Sequence, residues 1–206
     1  MESNSFKVGN LTVHIDRDEY PESPREWENL GTVVCWHRNY TLGDKHKFSS
    51  NEDFEEWLDE QGQHNVPLVI PLYLYDHSGI TMSTGPFSCP WDSGQVGWIY
   101  ITRDKILSEF PIDNGSPCLS EKGITYKRPP IKRKRITKSL LARVRKCLEG
   151  EIETYDQFLT GDVYAYRIED EDGETVDSCG GMYGHDYTVK EATIQAQYTL
   201  KSREED

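Results

Sequence analysis

One run of residues limits the fold more than any other. From Thr137 onward, Leu140, Leu141, Val144, Leu148, Ile152, Tyr155 and Leu159 recur every three or four residues. That is the spacing of a helix with one apolar face. The spacing predicts a helix over about 137–160, basic in its first half and acidic afterwards, ended by Gly161. Such a face needs an apolar surface to cover it, and the rest of the chain offers short strands. Phe6 to Ile15 reads as a hairpin turning at Gly9-Asn10, and Thr32 to His37 as a buried strand.

Asn51 is expected to cap a helix that runs to about Gly62 and buries Phe54, Trp57 and Leu58. Val66 to Tyr75 is a strand in which Pro71 implies an edge or a bulge, because proline cannot donate to a ladder. Ile80 to Ser83 is its return, and a loop over Thr84 to Gly94 leads into a strand from Gln95 to Thr102. Phe87, Trp91 and Trp98 should pin that loop to the core. A short helix follows over Arg103 to Phe110, then a flexible basic insertion over 111–136. Asp162 to Ile168 and Thr175 to Cys179 form a hairpin around Asp172-Gly173, and Val189 to Lys201 a closing helix. Strands and helices mix without regular alternation. The expected fold is therefore α+β: a single domain over 1–206 with a mixed or mainly antiparallel sheet.

Charge divides the sequence unevenly. The 206 residues carry 23 Lys+Arg against 36 Asp+Glu, a net charge of −13. Eleven basic residues and no acidic one lie between Lys122 and Lys146, which leaves −24 on the other 181 residues. The acidic body opposes non-specific coating of DNA and suits a basic partner. Within the basic stretch, Lys127, Arg128, Lys132, Arg133, Lys134 and Arg135 form a stripe for nucleic acid or an acidic partner. Its one nearby stacking platform is Tyr126, and the stripe could equally lie on the protein's own acidic surface.

No run of 18 apolar residues exists, so no membrane partner is expected, and Met1 to Lys7 lacks the apolar segment of a secretory signal. The five cysteines are scattered without a CxxC pair, which points to a reducing, cytoplasmic setting. Cys35 and His37, two apart on a strand, would share a face; Cys89, His77, Cys179 or His185 would have to complete any metal site. No paired ligand motif is present, so neither a metal nor a cofactor is expected.

Several motifs carry a family resemblance. They are Pro24-Arg-Glu-Trp-Glu-Asn-Leu-Gly-Thr32 with Val34-Cys-Trp-His37, Leu42-Gly-Asp44, Tyr75-Asp-His-Ser-Gly-Ile80 and Pro86-Phe-Ser-Cys-Pro-Trp-Asp-Ser-Gly-Gln-Val-Gly-Trp-Ile-Tyr100. Glu153 to Tyr164, Asp177-Ser-Cys179 and Gly181 to Gly184 complete the set. Together, over about Pro21 to Tyr187, they resemble a family of uncharacterised proteins encoded by bacteriophages and related mobile elements. The resemblance implies a virus-borne protein acting in the cytoplasm of the infected host cell. It transfers no catalytic residue.

Candidate chemistry centres on polar residues in turns or at strand ends, where functional groups are commonly presented. Arg25, Glu26, Asn29, His37, Asp44, His77, Ser78, Asp92 and Gln95 are the candidate ligand pocket of an enzyme or nucleotide-binding protein. His77 could serve as a general base oriented by Asp76 or Asp92. Neighbours in a chain point apart, however, so Asp76-His-Ser78 is not itself a triad, and a tight turn explains it as well. The Gly- and Pro-rich loop 84–97 could offer N–H groups to an anion but lacks a P-loop's spacing and lysine. With no catalytic signature, the first functional expectation is a small binding protein. It would inhibit or redirect a host protein or defence complex by protein–protein contact. Oligomeric state is not legible.

Overall fold

The computed structural model describes residues 4–111, 118–119, 125–126 and 135–205. In chain order the elements begin with β1 (Asn4–Val8), β2 (Leu11–Arg17), β3 (Thr32–Cys35), α1 (Asn51–Asn65) and β4 (Leu68–Asp76). Next come β5 (Ile80–Ser83), β6 (Ser93–Ile101), α2 (Arg103–Glu109), β7 (Cys118–Leu119) and β8 (Thr125–Tyr126). The chain ends with α3 (Lys138–Thr160), β9 (Val163–Glu169), β10 (Thr175–Tyr183) and α4 (His185–Glu205). The fold is α+β. No helix among the described residues is long and apolar enough to cross a membrane.

Two units share the chain: Met1–Trp27, Tyr75–Met82 and Ile152–Asp206 form the first, Glu28–Leu74 and Ser83–Glu151 the second. Boundaries fall inside β4, inside β5 and inside α3. In the first unit the strand order is β1-β2-β9-β10, antiparallel throughout. Strict alternation on β2 sends Leu11, Val13 and Ile15 to one face, where they meet Tyr166 and Ile168 of β9. Ala192 and Ala196 of α4 close this core, their small side chains letting the helix lie close. The other face of the sheet is polar: His14 and Arg167 both bind the Glu169 carboxylate, at 3.0 and 2.5 Å. The β1–β2 turn is made at Gly9, whose φ of 62° suits glycine and whose Cα faces Leu200.

β10 runs four residues beyond the expected Cys179, across a bulge at Gly180-Gly181 where the Gly181 N–H donates to Asp18 at 2.9 Å. α4 likewise starts at His185 rather than Val189. The buried Thr188 ties its first turn down, its hydroxyl donating to Gly184 O at 2.9 Å. A polar first turn gave the apolar pattern nothing to mark.

In the second unit the sheet has the order β3-β6-β4, and β4 runs on into its hairpin with β5. Proline at 71 is tolerated because β5 is only four residues long and pairs with the far end of the nine-residue β4. β3 and β6 approach so closely that a Cβ on Gly97 would sit 2.0 Å from the Val34 carbonyl oxygen. Val34, Phe48 and Phe54 form a core to which Trp36, Trp57, Trp98 and Tyr100 add their rings. Only Phe54 of the three expected α1 residues is fully buried; Trp57 and Leu58 pack half-buried against it.

The cap of α1 is Ser50, not Asn51. Ser50 Oγ accepts the Asp53 N–H at 3.3 Å, while Asn51 Oδ1 accepts the Trp98 indole N–H at 2.7 Å. The Glu52 backbone N–H first, and the Ser50 hydroxyl second, hold the exposed Glu52 carboxyl below its usual range. Gly62, at φ 64°, breaks the helix where the sequence places its end, and a last turn follows to Asn65. α3 spans the expected residues and buries Leu140, Val144, Leu148, Ile152 and Tyr155. Its end is a Schellman turn: Asp162 N–H reaches Gln157 O at 2.7 Å and Gly161 N–H reaches Phe158 O at 3.2 Å, with Gly161 at φ 69°.

Candidate functional site

The nine polar candidates fall in both units. Arg25 and Glu26 sit in a single 3-10 turn of the first unit, capped by Ser23, whose Oγ accepts the Arg25 N–H at 3.3 Å. His77 and Ser78 form the tip of the β4–β5 hairpin, exposed to solvent. There the His77 N–H donates to Gly79 O at 3.0 Å, Ser78 takes a φ of 59°, and the imidazole stacks 6.1 Å from Tyr75. This is turn geometry. Asn29, His37, Asp44, Asp92 and Gln95 belong to the second unit. There Asp92 accepts the Cys89 thiol at 3.6 Å, and Gln95 is exposed near the start of β6. His37 and Asp44 are brought together in one pocket.

Trp91 corrects the expectation for the 84–94 loop. It does not pin the loop to the core but stands 92% exposed, while Phe87 and Trp98 are half-buried. The turn beneath it is held by Ser93 Oγ donating to Cys89 O at 2.5 Å.

The pocket that holds His37 and Asp44 measures about 550 Å³ and is built by the segment leaving β3. β3 stops at Cys35, so His37 lies beyond the strand and the alternation expected to align it with Cys35 does not operate. Chain ends of the loop are clasped instead: Asp44 N–H donates to Val33 O at 2.8 Å, and Asp44 Oδ2 accepts the Val33 N–H at 2.8 Å. Gly43 between them has φ 74°, and a Cβ there would lie 2.8 Å from the Val33 carbonyl oxygen. Trp36, Leu42 and His46 line the pocket with the stacked pair His37 and Tyr40, whose rings are 4.9 Å apart at 22°. His46 Nε2 bonds the Cys35 carbonyl at 3.2 Å, and its buried Nδ1 has no hydrogen-bond partner among the described residues. Arg38 and Lys45 stand at the rim, both exposed.

A second feature escaped the sequence reading. Tyr187, Ile194 and Tyr198 on α4 are 54%, 48% and 67% exposed. At about 100° per residue they fall within about 40° of one another. Thr188, Ala192 and Ala196, the buried residues of the same helix, point the opposite way. The signal was present in the spacing of 7 and 4 residues, but the alanines on the inner face are too small to mark it as the core side.

Of the basic stripe, Lys127, Arg128, Lys132, Arg133 and Lys134 lie outside the described residues, and Arg135 is exposed. The basic half of α3 is partly committed: Arg143 lies 5.7 Å over the Phe110 ring and Arg145 is 3.7 Å from Glu149. Among the described residues no three His, Cys, Asp or Glu side chains converge to hold a metal ion. Cys89 is engaged with Asp92, Cys179 is exposed beside Met182, and His185 packs on Tyr164 at 5.1 Å. No family model matches the chain, and no curated protein or solved structure does.

Proposed function

We propose that this chain is a small protein-binding module and that it makes its contact with the outer face of α4. The observation that carries the reading is the stripe of Tyr187, Ile194 and Tyr198, held in water on a helix whose opposite face is already satisfied by its own sheet. Leaving such side chains exposed forfeits about 25 cal/mol per Å² of apolar surface, which a partner recovers on binding. Tyrosine also suits the role because it is large, amphipathic and loses little rotamer freedom when fixed. The family resemblance would make the partner a protein of the infected host cell, a defence component among them, met in the cytoplasm.

The test pairs the native chain with a double variant, Ile194→Glu and Tyr198→Glu, both at exposed positions. Host proteins retained by the native chain and lost by the variant are then examined by hydrogen exchange in the purified complex. The reading expects new protection over residues 187–201. A partner that binds both forms equally, or that protects other segments and leaves α4 unchanged, refutes it. Sedimentation of the chain alone separates a foreign partner from a second copy.

A further inference from the structure

The pocket at 35–46 belongs to the second unit and α4 to the first, and its reading stands independently of α4. Trp36, Leu42 and the stacked His37–Tyr40 pair give it aromatic and apolar lining, and Arg38 and Lys45 give it two cations. Arg38 and Lys45 have side chains that make no hydrogen bond or ion pair with any described residue. The acid that lines the pocket, Asp44, has committed its carboxylate to the Val33 N–H. Two positive charges and one negative charge, that of Asp44, therefore line this cavity, a local excess of positive charge in a protein whose net charge is −13. Between them, Tyr40 stacks on His37 yet keeps 38% of its surface open, so a planar ring can extend the stack.

From these features we infer that the pocket binds a phosphorylated small molecule carrying a planar aromatic ring, of the nucleoside monophosphate class. A phosphate monoester carries about −1.5 to −2 charges near pH 7 and is drawn to the two cations, while the Asp44 carboxylate is turned to the Val33 N–H. Arg38 offers the planar fork that pairs with two phosphate oxygens, and Lys45 a point charge. A triphosphate would bring more charge than the rim can balance, against an acidic body that repels it. The volume of about 550 Å³ lies within the ordinary range of small-ligand pockets, about 300–1,000 Å³. The clasp of Val33 and Asp44 holds both ends of the loop before any ligand arrives, so little ordering is needed on binding.

The experiment is a titration of the full-length, isotopically labelled chain with AMP, adenosine, inorganic phosphate and ATP, followed through the backbone amides of residues 35–46. AMP is expected to shift these amides saturably, with adenosine and inorganic phosphate each at least about tenfold weaker, because each makes only part of the contact. ATP is expected to bind no better than AMP. Replacing both rim cations, Arg38→Ala with Lys45→Ala, should weaken AMP by at least about tenfold. Tyr40→Ala should weaken AMP and leave the response to inorganic phosphate unchanged. All three residues are exposed, so circular dichroism will match the native spectrum. The inference is overturned if AMP leaves these amides unmoved at about 10 mM, an affinity too weak for specific recognition. It is equally overturned if the cation variant binds AMP as well as the native chain, or if inorganic phosphate binds as tightly as AMP. Substitutions on α4 leave the titration unchanged, so the two proposals fail separately.

Discussion

Glu151 offers a stringent test of how the second unit is held. It projects from α3, and its carboxylate accepts the Leu30 N–H at 2.6 Å and the Gly31 N–H at 3.2 and 3.3 Å. Gly31 is buried, and a Cβ there would lie 2.7 Å from both Ile99 and Leu148, so the strand entry is packed against side chains. Truncation by Glu151→Ala removes the acceptor of two amides. A hydrogen bond to a charged group is worth about 1.5–3 kcal/mol net, and two amides sharing one carboxylate lose less than twice that. The expected cost is about 2–4 kcal/mol, a large part of the ~5–15 kcal/mol that holds a typical domain. Glu151→Gln keeps one carbonyl acceptor and should lose about half as much.

Urea unfolding followed by tryptophan fluorescence reads the right unit, because Trp36, Trp57, Trp91 and Trp98 all lie in it and only Trp27 lies in the first. With a urea slope of ~1–3 kcal/mol per molar, Glu151→Ala should lower the midpoint by roughly 1–2 M at unchanged slope. An alanine midpoint that coincides with the native one refutes the reasoning. A glutamine variant as unstable as the alanine one would show that charge, not an acceptor, is what the amides require.

Two further perturbations address the first unit. Burial first, and the Asp177 carboxylate 3.2 Å away second, push the Tyr166 phenol up to about 12, above the ~10 of an unfolded chain. Its contribution is therefore fully present below pH 10 and lost as pH rises towards 12, by up to roughly 2–3 kcal/mol. Urea midpoints by circular dichroism from pH 9 to 11.5 should fall less steeply in Tyr166→Phe; identical slopes would refute the assignment. On α4, Ala192→Leu overpacks the fully buried contact with β2 and β9 and should cost about 1–3 kcal/mol. Ile194→Ala on the outer face should change stability by less than about 0.5 kcal/mol, and a larger loss would mean that the outer stripe is part of the core.

What the sequence made legible follows the physics of each signal. α3 could be read because its apolar residues are large and periodic, and its stop because Gly161 adopts the left-handed turn the pattern anticipates. The α1 start was displaced by one residue because Ser50 and Asn51 are both good caps, and the Trp98 indole claims the Asn51 oxygen. That choice depends on a strand far away in sequence. Trp91 shows the opposite limit: an aromatic in an apolar motif reads as core, yet the Cys89–Ser93 turn holds it outward. The candidate site fared similarly. His37 and Asp44 could be singled out as polar groups at turns, but their shared pocket depends on the Val33–Asp44 clasp. Arg38, Tyr40 and Lys45 sit beside them in sequence, but an exposed cation carries no pattern that sets it apart from ordinary solvation.

The basic residues gain meaning only when sorted by commitment. Lys105 lies 3.7 Å from Glu109, Arg145 3.7 Å from Glu149, Arg167 2.5 Å from Glu169 and Arg203 3.4 Å from Asp170. Arg38 and Lys45, both exposed, line one pocket. The two proposed surfaces therefore depend on different forces, and salt separates them. Raising sodium chloride from about 0.1 to 1 M shortens the screening length from about 10 to 3 Å. AMP binding to the rim cations should then weaken severalfold. The α4 contact, built on apolar burial, should hold, and sulfate should strengthen it by its exclusion from protein surface. A ligand at the pocket that ignores salt would mean that Arg38 and Lys45 do not hold it. A partner on α4 that salt releases would mean that charge, rather than Tyr187, Ile194 and Tyr198, makes that contact.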